Sequence, residues 1–377
     1  MLKTFWLCFA WALLLGTIFT PFSYASNHTG AAPPLTAIDT VQKQDNKSPE
    51  TPAQEVKQTP FPHPFAPLGV YGAHVIKPGK WLIAYTYGHM AMDGNLIGTD
   101  SVSTGTLLKR YNVVPVSMSV DMHMVCLMRG MTENLNFMVM IPYYFKSMTM
   151  AMRKSPKVMQ RGITFLTHSD GIGDLQLGGT YSLYRSAMHQ LVFYGGISIP
   201  TGSIDVRDNT PNKKNAKLGY TMQLGTGTTD LNPALTYSGK WENLFWGAQI
   251  AGIARFYDNR NHYHWGSRYR ITGWGGYRLI TTPYYSCIAS VRMDWQSWGN
   301  IHGADPELNP LATPGQDPKL RGGSRLDFLP GFSVYIDKGK LQGNRLFVEG
   351  GVPIYQYLEG PQGETTWIVS AGWKFVF

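Results

Sequence analysis

Only three of the 377 residues are cysteine, Cys8, Cys126 and Cys287, too few and too scattered for a disulfide-stapled scaffold. After residue 25 no apolar run approaches the ~20 residues that a spanning helix needs, and the mean hydropathy is slightly polar at -0.18. The chain has no HExxH, GxSxG, P-loop or dinucleotide fingerprint in strand-to-helix context, so the commonest enzyme frameworks lack their signatures. Asp305 and Glu307 are an acid pair to weigh for glycoside chemistry, but they sit two apart in a Pro-containing stretch and read as a turn. The formal charge of +9 is spread along the chain rather than gathered into a basic stripe with interleaved aromatics, which argues against nucleic acid as a partner. No enzyme activity, catalytic residue or cofactor is expected.

What is present is alternation. Along TWIVSAGWKFVF the residues Trp367, Val369, Ala371, Trp373, Phe375 and Phe377 fall on one face, and Ser370, Gly372 and Lys374 on the other. A two-residue period is a β-strand, and aromatics at the very end of a chain need lipid to bury them. Bacterial outer-membrane barrels are similar, closing on an amphipathic strand that ends in Phe. That resemblance implies the cell outer membrane as location, with lipid, lipopolysaccharide and the barrel-assembly machinery as partners. The 41 glycines, 21 tyrosines and 11 tryptophans suit the same class, glycine for smooth walls and turns, aromatics for interfacial girdles.

At the other end, Lys3, the apolar run Phe5 to Phe19 and the small-x-small string Ser23, Tyr24, Ala25 predict a secretory signal over residues 1–25. Residues 26–65 are rich in Pro, Gln, Thr and Lys and predict a disordered periplasmic linker. Residues 66–377 then form an all-β, transmembrane up-and-down antiparallel barrel. Twelve strands are expected, at 81–93, 115–129, 134–148, 171–185, 190–200, 228–239, 244–254, 268–280, 284–298, 324–337, 344–352 and 366–377. Tight turns alternate with long connections, as such a barrel requires. No plug domain is expected ahead of the barrel, and Cys126 and Cys287 are expected to stay unpaired.

Applying the alternation strand by strand points Arg270, Arg278, Arg292, Asp294, Arg325, Asp327, Arg345 and Glu349 into the lumen, because an Arg facing lipid at mid-membrane costs ~2 to 4 kcal/mol. These charges are the candidate selectivity residues; a salt-bridge network that fills a narrow barrel is the plainer reading. Thirteen of the 17 methionines lie between Met90 and Met159. Met90, Met92, Met148, Met150 and Met152, with His123, form a candidate soft-metal set suited to copper; filling space is the alternative. Opposing Asp121 and His123, taken as inward, puts Met118, Met122, Met124 and Met128 toward lipid.

Several strings carry a family likeness: HSDGIGDLQLGG at 168–179, SIPTGSID at 198–205, WGNIHGADPELNP at 298–310, MDGN at 92–95, DMHM at 121–124 and the closing WKFVF. With them, residues 67–377 resemble the outer-membrane transporters described as meta-pathway phenol-degradation-like. The resemblance implies a channel for passive passage of small solutes, aromatic or otherwise hydrophobic. A Met/His-rich barrel handling copper, or a barrel-embedded hydrolase, are the alternatives. The string LGVYGAHVIKPGKW before the first strand departs from relatives richer there in His and Met, which weakens a metal role.

Overall fold

The computed structural model describes residues 66, 67, 69–153 and 163–377. The expected signal, the linker, Cys8 and Met159 lie outside the described residues. Among the described residues no helix is long and apolar enough to cross a membrane; the chain crosses with strands.

Twelve strand elements make the wall: β1 (Trp81–Gly98), β2 (Val113–Gly130), β3 (Leu135–Met152), β4 (Thr164–Ile172), β5 (Leu175–Arg185), β6 (His189–Ile199), β7 (Ala234–Trp241), β8 (Leu244–Ile253), β9 (Arg268–Thr281), β10 (Tyr285–Trp298), β11 (Gly323–Ile336) and β12 (Asn344–Val376). β4 and β5 lie end to end along β3, at Tyr143↔Ile172 and Met140↔Gln176. The other contacts run β1 to β2 to β3 to β5 and on in chain order to β12, which returns to β1. Eleven elements therefore close the ring. Every neighbouring pair is antiparallel, and such a ring requires an even number of passes.

The odd element is β12, 33 residues long. Residues 345–358 pair with β11 and residues 358–376 with β1, antiparallel to both. Gln356 Nε2 donates to the Thr365 carbonyl at 2.9 Å, and Thr365 N donates to Gln356 Oε1 at 3.0 Å. Nine residues of straight strand span about 30 Å, so the ribbon has folded back on itself and supplies two passes. The barrel has twelve staves. Its expected loop at 353–365 is part of this last hairpin.

Trp81 and Phe377 exchange backbone hydrogen bonds of 2.9 and 3.0 Å and seal the seam. The short turns after β2, β5, β7, β9 and β11 lie at this end, and the long connections, with the turn inside β12, at the other. Outward positions are apolar around the wall: Leu127, Phe137, Ile141, Phe193, Leu235, Ile250, Val291, Phe328, Val348 and Trp367 are all exposed. An apolar belt of this extent exceeds what a soluble monomer presents to water, and lipid covers it in a transmembrane barrel.

The seam half of the lumen is filled by the chain that precedes β1. Arg345 Nη1 donates to the Ala66 carbonyl at 3.3 Å, Gln249 Nε2 to that of Tyr71 at 2.8 Å, and Thr180 Oγ1 to that of His74 at 3.2 Å. Val70 and Ala73 pack on Trp274, and Ile76 joins Leu82, Met124, Cys126, Met128, Met138, Met140 and Tyr194 in a buried cluster. The segment thus touches β2, β5, β8, β9 and β12 and crosses the barrel. Gly72 takes φ +67 beside the Tyr194 ring, a backbone state that disfavours side chains. Nothing in the sequence marks a folded plug domain, yet a short apolar, Gly- and Pro-marked stretch just before β1 occupies this half of the lumen. Cys126 and Cys287 are both buried.

Candidate functional site: an amphipathic cavity above the plug

Above the segment lies a cavity of about 710 Å³, within the 300–1,000 Å³ of small-molecule sites. One wall comes from β1, β2 and β3. Met92 is the cross-strand partner of Met118, and Met118 of Met148, so three thioethers stand side by side on one face. Met90, Met150, Met152 and Val120 extend the patch. Met222 and Leu218, from the connection after β6, pack against it from above. That connection is pinned inside the barrel by Lys146, whose Nζ donates to the carbonyls of Thr221 at 3.0 Å and Gln223 at 2.5 Å.

The register of β2 corrects the sequence expectation. Met118, Met124 and Met128 are 8%, 5% and 2% exposed, whereas Val125 and Leu127 are 44% and 40% exposed. The methionines face the lumen; Asp121 and His123 face outward. Their polarity is met locally, since Tyr87 Oη donates to Asp121 at 2.6 Å, His89 Nδ1 lies 2.7 Å from the same carboxylate, and Tyr85 Oη is 2.7 Å from His123 Nδ1. The His89 ring stacks on Trp367. His123 therefore cannot join Met90, Met92, Met148, Met150 and Met152, all of which line the cavity.

The wall from β9 round to β12 carries the arginines. The structure places Arg270, Arg278, Arg292, Asp294, Arg325, Asp327, Arg345 and Glu349 on the lumen face and joins most of them in pairs. Arg270 donates twice to Asp294 at 2.6 Å, and Thr272 Oγ1 adds a third bond at 2.7 Å. Arg292 is paired with Asp294 at 2.9 Å and with Glu349. Arg325 Nε is 2.9 Å from Asp327, and its Nη1 donates to Thr365 at 2.8 Å. Arg292, Asp294, Asp327, Arg345 and Glu349 are almost fully buried. Such pairs are tolerated only when each charge keeps its partner. Gly69 of the inner segment lies against the Arg292 guanidinium, closer than a side chain would permit.

Outside the membrane span, three long connections are tied by charge. Lys217 Nζ lies 2.6 Å from both Asp205 and Asp305, and Arg207 reaches Glu307 at 2.5 Å. Burial acts to raise the Asp205 carboxyl, but hydrogen bonds from Lys217 and Asn261 outweigh it and hold it at about 2. Burial likewise opposes the charge on Lys217, and its two carboxylates raise it above the usual lysine value. Asp305 and Glu307 are thus loop clamps, in keeping with their reading as a turn.

Among the described residues no group of three or more His, Cys, Asp or Glu converges as a metal site. The Met90 thioether accepts from Arg325 Nη1 at 3.4 Å. The sequence reading missed two contributors: Met118, assigned to the wrong face, and Arg268, whose even register beside Arg270 was its only signal.

Residues 123–328, more than half of the chain, match the family described as "Putative MetA-pathway of phenol degradation". No curated protein matches the chain. Among solved structures it is similar to an outer membrane channel from Pseudomonas putida F1, at 13% identity and TM-score 0.52 over 81% of this chain and 98% of that one. The beta domain of the Bordetella autotransporter Brka (11% identity, TM-score 0.41, 79% and 100% covered) and a Pseudomonas aeruginosa FadL homologue (10%, 0.35, 78% and 89%) score lower. At 13% identity the likeness to the channel is one of fold, an outer-membrane-type barrel, and by its sequence match the chain belongs to the phenol-degradation family.

Proposed function

We propose that the protein is an outer-membrane channel through which small solutes pass without energy coupling, with the Met/Arg cavity as their binding vestibule. The carrying observation is that cavity, set inside a lipid-covered barrel whose seam half is filled by the segment before β1. Passage needs this segment to shift. The three hydrogen bonds that tether its carbonyls to the wall are each worth only about 1 kcal/mol net, so motion within an intact barrel is physically accessible. The family's description points to phenol breakdown, and a methionine wall suits apolar or aromatic solutes, because thioethers adapt their shape and pack on rings.

A catalytic role has less support. The outward His89–Asp121 pair is occupied by Tyr87 and Trp367, and among the described residues no serine is hydrogen-bonded to His89. Copper handling is opposed by the cationic lining and by the outward position of His123. The strand ending at Phe377 is read as the signal for the assembly machinery, in lipid and lipopolysaccharide surroundings.

The test is uptake into proteoliposomes of a small neutral aromatic such as benzamide. Uptake above that of protein-free vesicles supports the channel; a barrel impermeable to every small solute offered removes it.

A further inference from the structure

The charges that line the cavity are unbalanced: six cationic side chains face it against two carboxylates, Asp174 and Asp230. Both carboxylates are spoken for. Asp230 pairs with Arg255 at 2.8 Å, and Asp174 accepts from Gly202 N, Thr226 N and Thr226 Oγ1. Most of the cations are also engaged, Arg325 with Asp327 and Lys217 with Asp205 and Asp305. Arg268 is the exception. Among the described residues it makes no ion pair and no hydrogen bond; its guanidinium sits 5.8 Å from the centre of the Trp298 ring. Its side chain is solvent-exposed and lines the cavity, in the field of Arg255, Arg270 and Arg325, with Tyr144 approaching from β3. A guanidinium with free donors, held among like charges beside an aromatic ring, is a receptor for a carboxylate.

Across the cavity from this receptor stands the wall of Met92, Met118 and Met148. We infer that the cavity binds small amphipathic monocarboxylates, the carboxylate on Arg268 and the apolar body against the methionines. This inference deepens the channel reading and rests on it for the route of entry. A bare anion gains nothing from the thioethers, and a neutral apolar molecule leaves Arg268 unanswered, so the two halves together define the class.

Calorimetric titration of the full chain in lipid nanodiscs tests it, with benzoate, neutral benzamide and acetate as probes. Benzoate is expected to bind tightest. Arg268→Gln should weaken benzoate roughly 10- to 100-fold, the worth of a charged hydrogen-bonded pair, and leave benzamide unchanged; Arg268→Lys should recover part of the loss. Met118→Ser should weaken benzoate and benzamide alike. Equal affinity for acetate and benzoate, or benzoate binding indifferent to Arg268→Gln in a barrel that keeps its heat-modifiable gel mobility, overturns the inference. Proteoliposome uptake of benzamide separates the two readings. Uptake without Arg268-dependent binding leaves the channel and removes the site, whereas Arg268-dependent binding in an impermeable barrel supports the site and removes the channel.

Discussion

The two walls of the lumen solve the same problem in opposite ways. On β9 to β12 many inward positions are charged and every carboxylate among them is paired, Arg270 with Asp294 and Arg292 with Glu349 across strands, Arg325 with Asp327 along β11. On β1 to β3 methionines dominate the inward positions, with Lys146 an inward charge among them, and Asp121, His123 and His89 face outward. The charged wall is rigid because each carboxylate has one geometry that satisfies it. The methionine wall is adaptable because thioether side chains are unbranched and polarizable and bind their few donors only weakly. A channel with one wall of each kind orients a solute by its polar end and tolerates variety in the rest.

The difference is sharpest under substitution of Arg292. Glu349 has Arg292 as its ion-pair partner, so Arg292→Leu strands a buried carboxylate, and we expect a loss of about 3 to 5 kcal/mol, read as a lower urea midpoint in detergent. Tolerance of this substitution would mean that water reaches the pair.

A second expected effect concerns the segment that leans on the charged wall. Valine at Gly72 meets both the positive φ and the Tyr194 ring. Gly72→Val should displace the segment from the lumen and raise single-channel conductance above the wild type, with the barrel still folded. Unchanged conductance would show that the segment does not limit the path.

The same contrast governs what could be read from sequence. On β9 to β12 several arginines and acids share one parity, and exposing them to lipid is so costly that only one register is acceptable. On β2 both parities are largely apolar, Met118 to Met128 against Val125 and Leu127, and the register hung on Asp121 and His123. Those two residues find Tyr85, Tyr87 and His89 on the adjacent strand, a cross-strand match invisible along a single strand. Turns were legible because glycine, proline and asparagine mark them, and twelve staves followed from their spacing. The inner segment 66–80 was not, since a short apolar stretch next to β1 gives no sign of whether it faces lipid, water or a lumen.

The external clamp titrates apart from both walls. With Asp205 held at about 2 against an ordinary value of 3.8, its contribution is fully present above pH ~4 and is lost as pH falls through 2. Lys217 is raised above 10.5, so its contribution is present below that value and lost as pH rises past its folded value. Protease resistance of the connections after β6, β8 and β10 should therefore be flat between pH 5 and 9 and fall at the acid extreme. A break near neutrality would place another group in control.

The smallest effect belongs to the methionine wall. Met148→Leu conserves volume and leaves no polar partner stranded, so stability should change by less than ~1.5 kcal/mol. Titration of the wild type with Cu(I) under a competing chelator should show no affinity that this substitution abolishes; a stoichiometric site lost in the variant would instead make the wall a metal ligand set.

The central claim is that β2 turns its methionines to the lumen and its Val125 and Leu127 to lipid. It is tested most directly by nitroxide labels at Met118→Cys and Val125→Cys, in a background with Cys126 and Cys287 replaced, in bilayers. The label at 125 should collide with lipid-dissolved oxygen and not with a water-soluble nickel chelate, and the label at 118 should escape the oxygen. Oxygen contact at 118 with shielding at 125 would contradict the assignment and move the methionine wall out of the cavity.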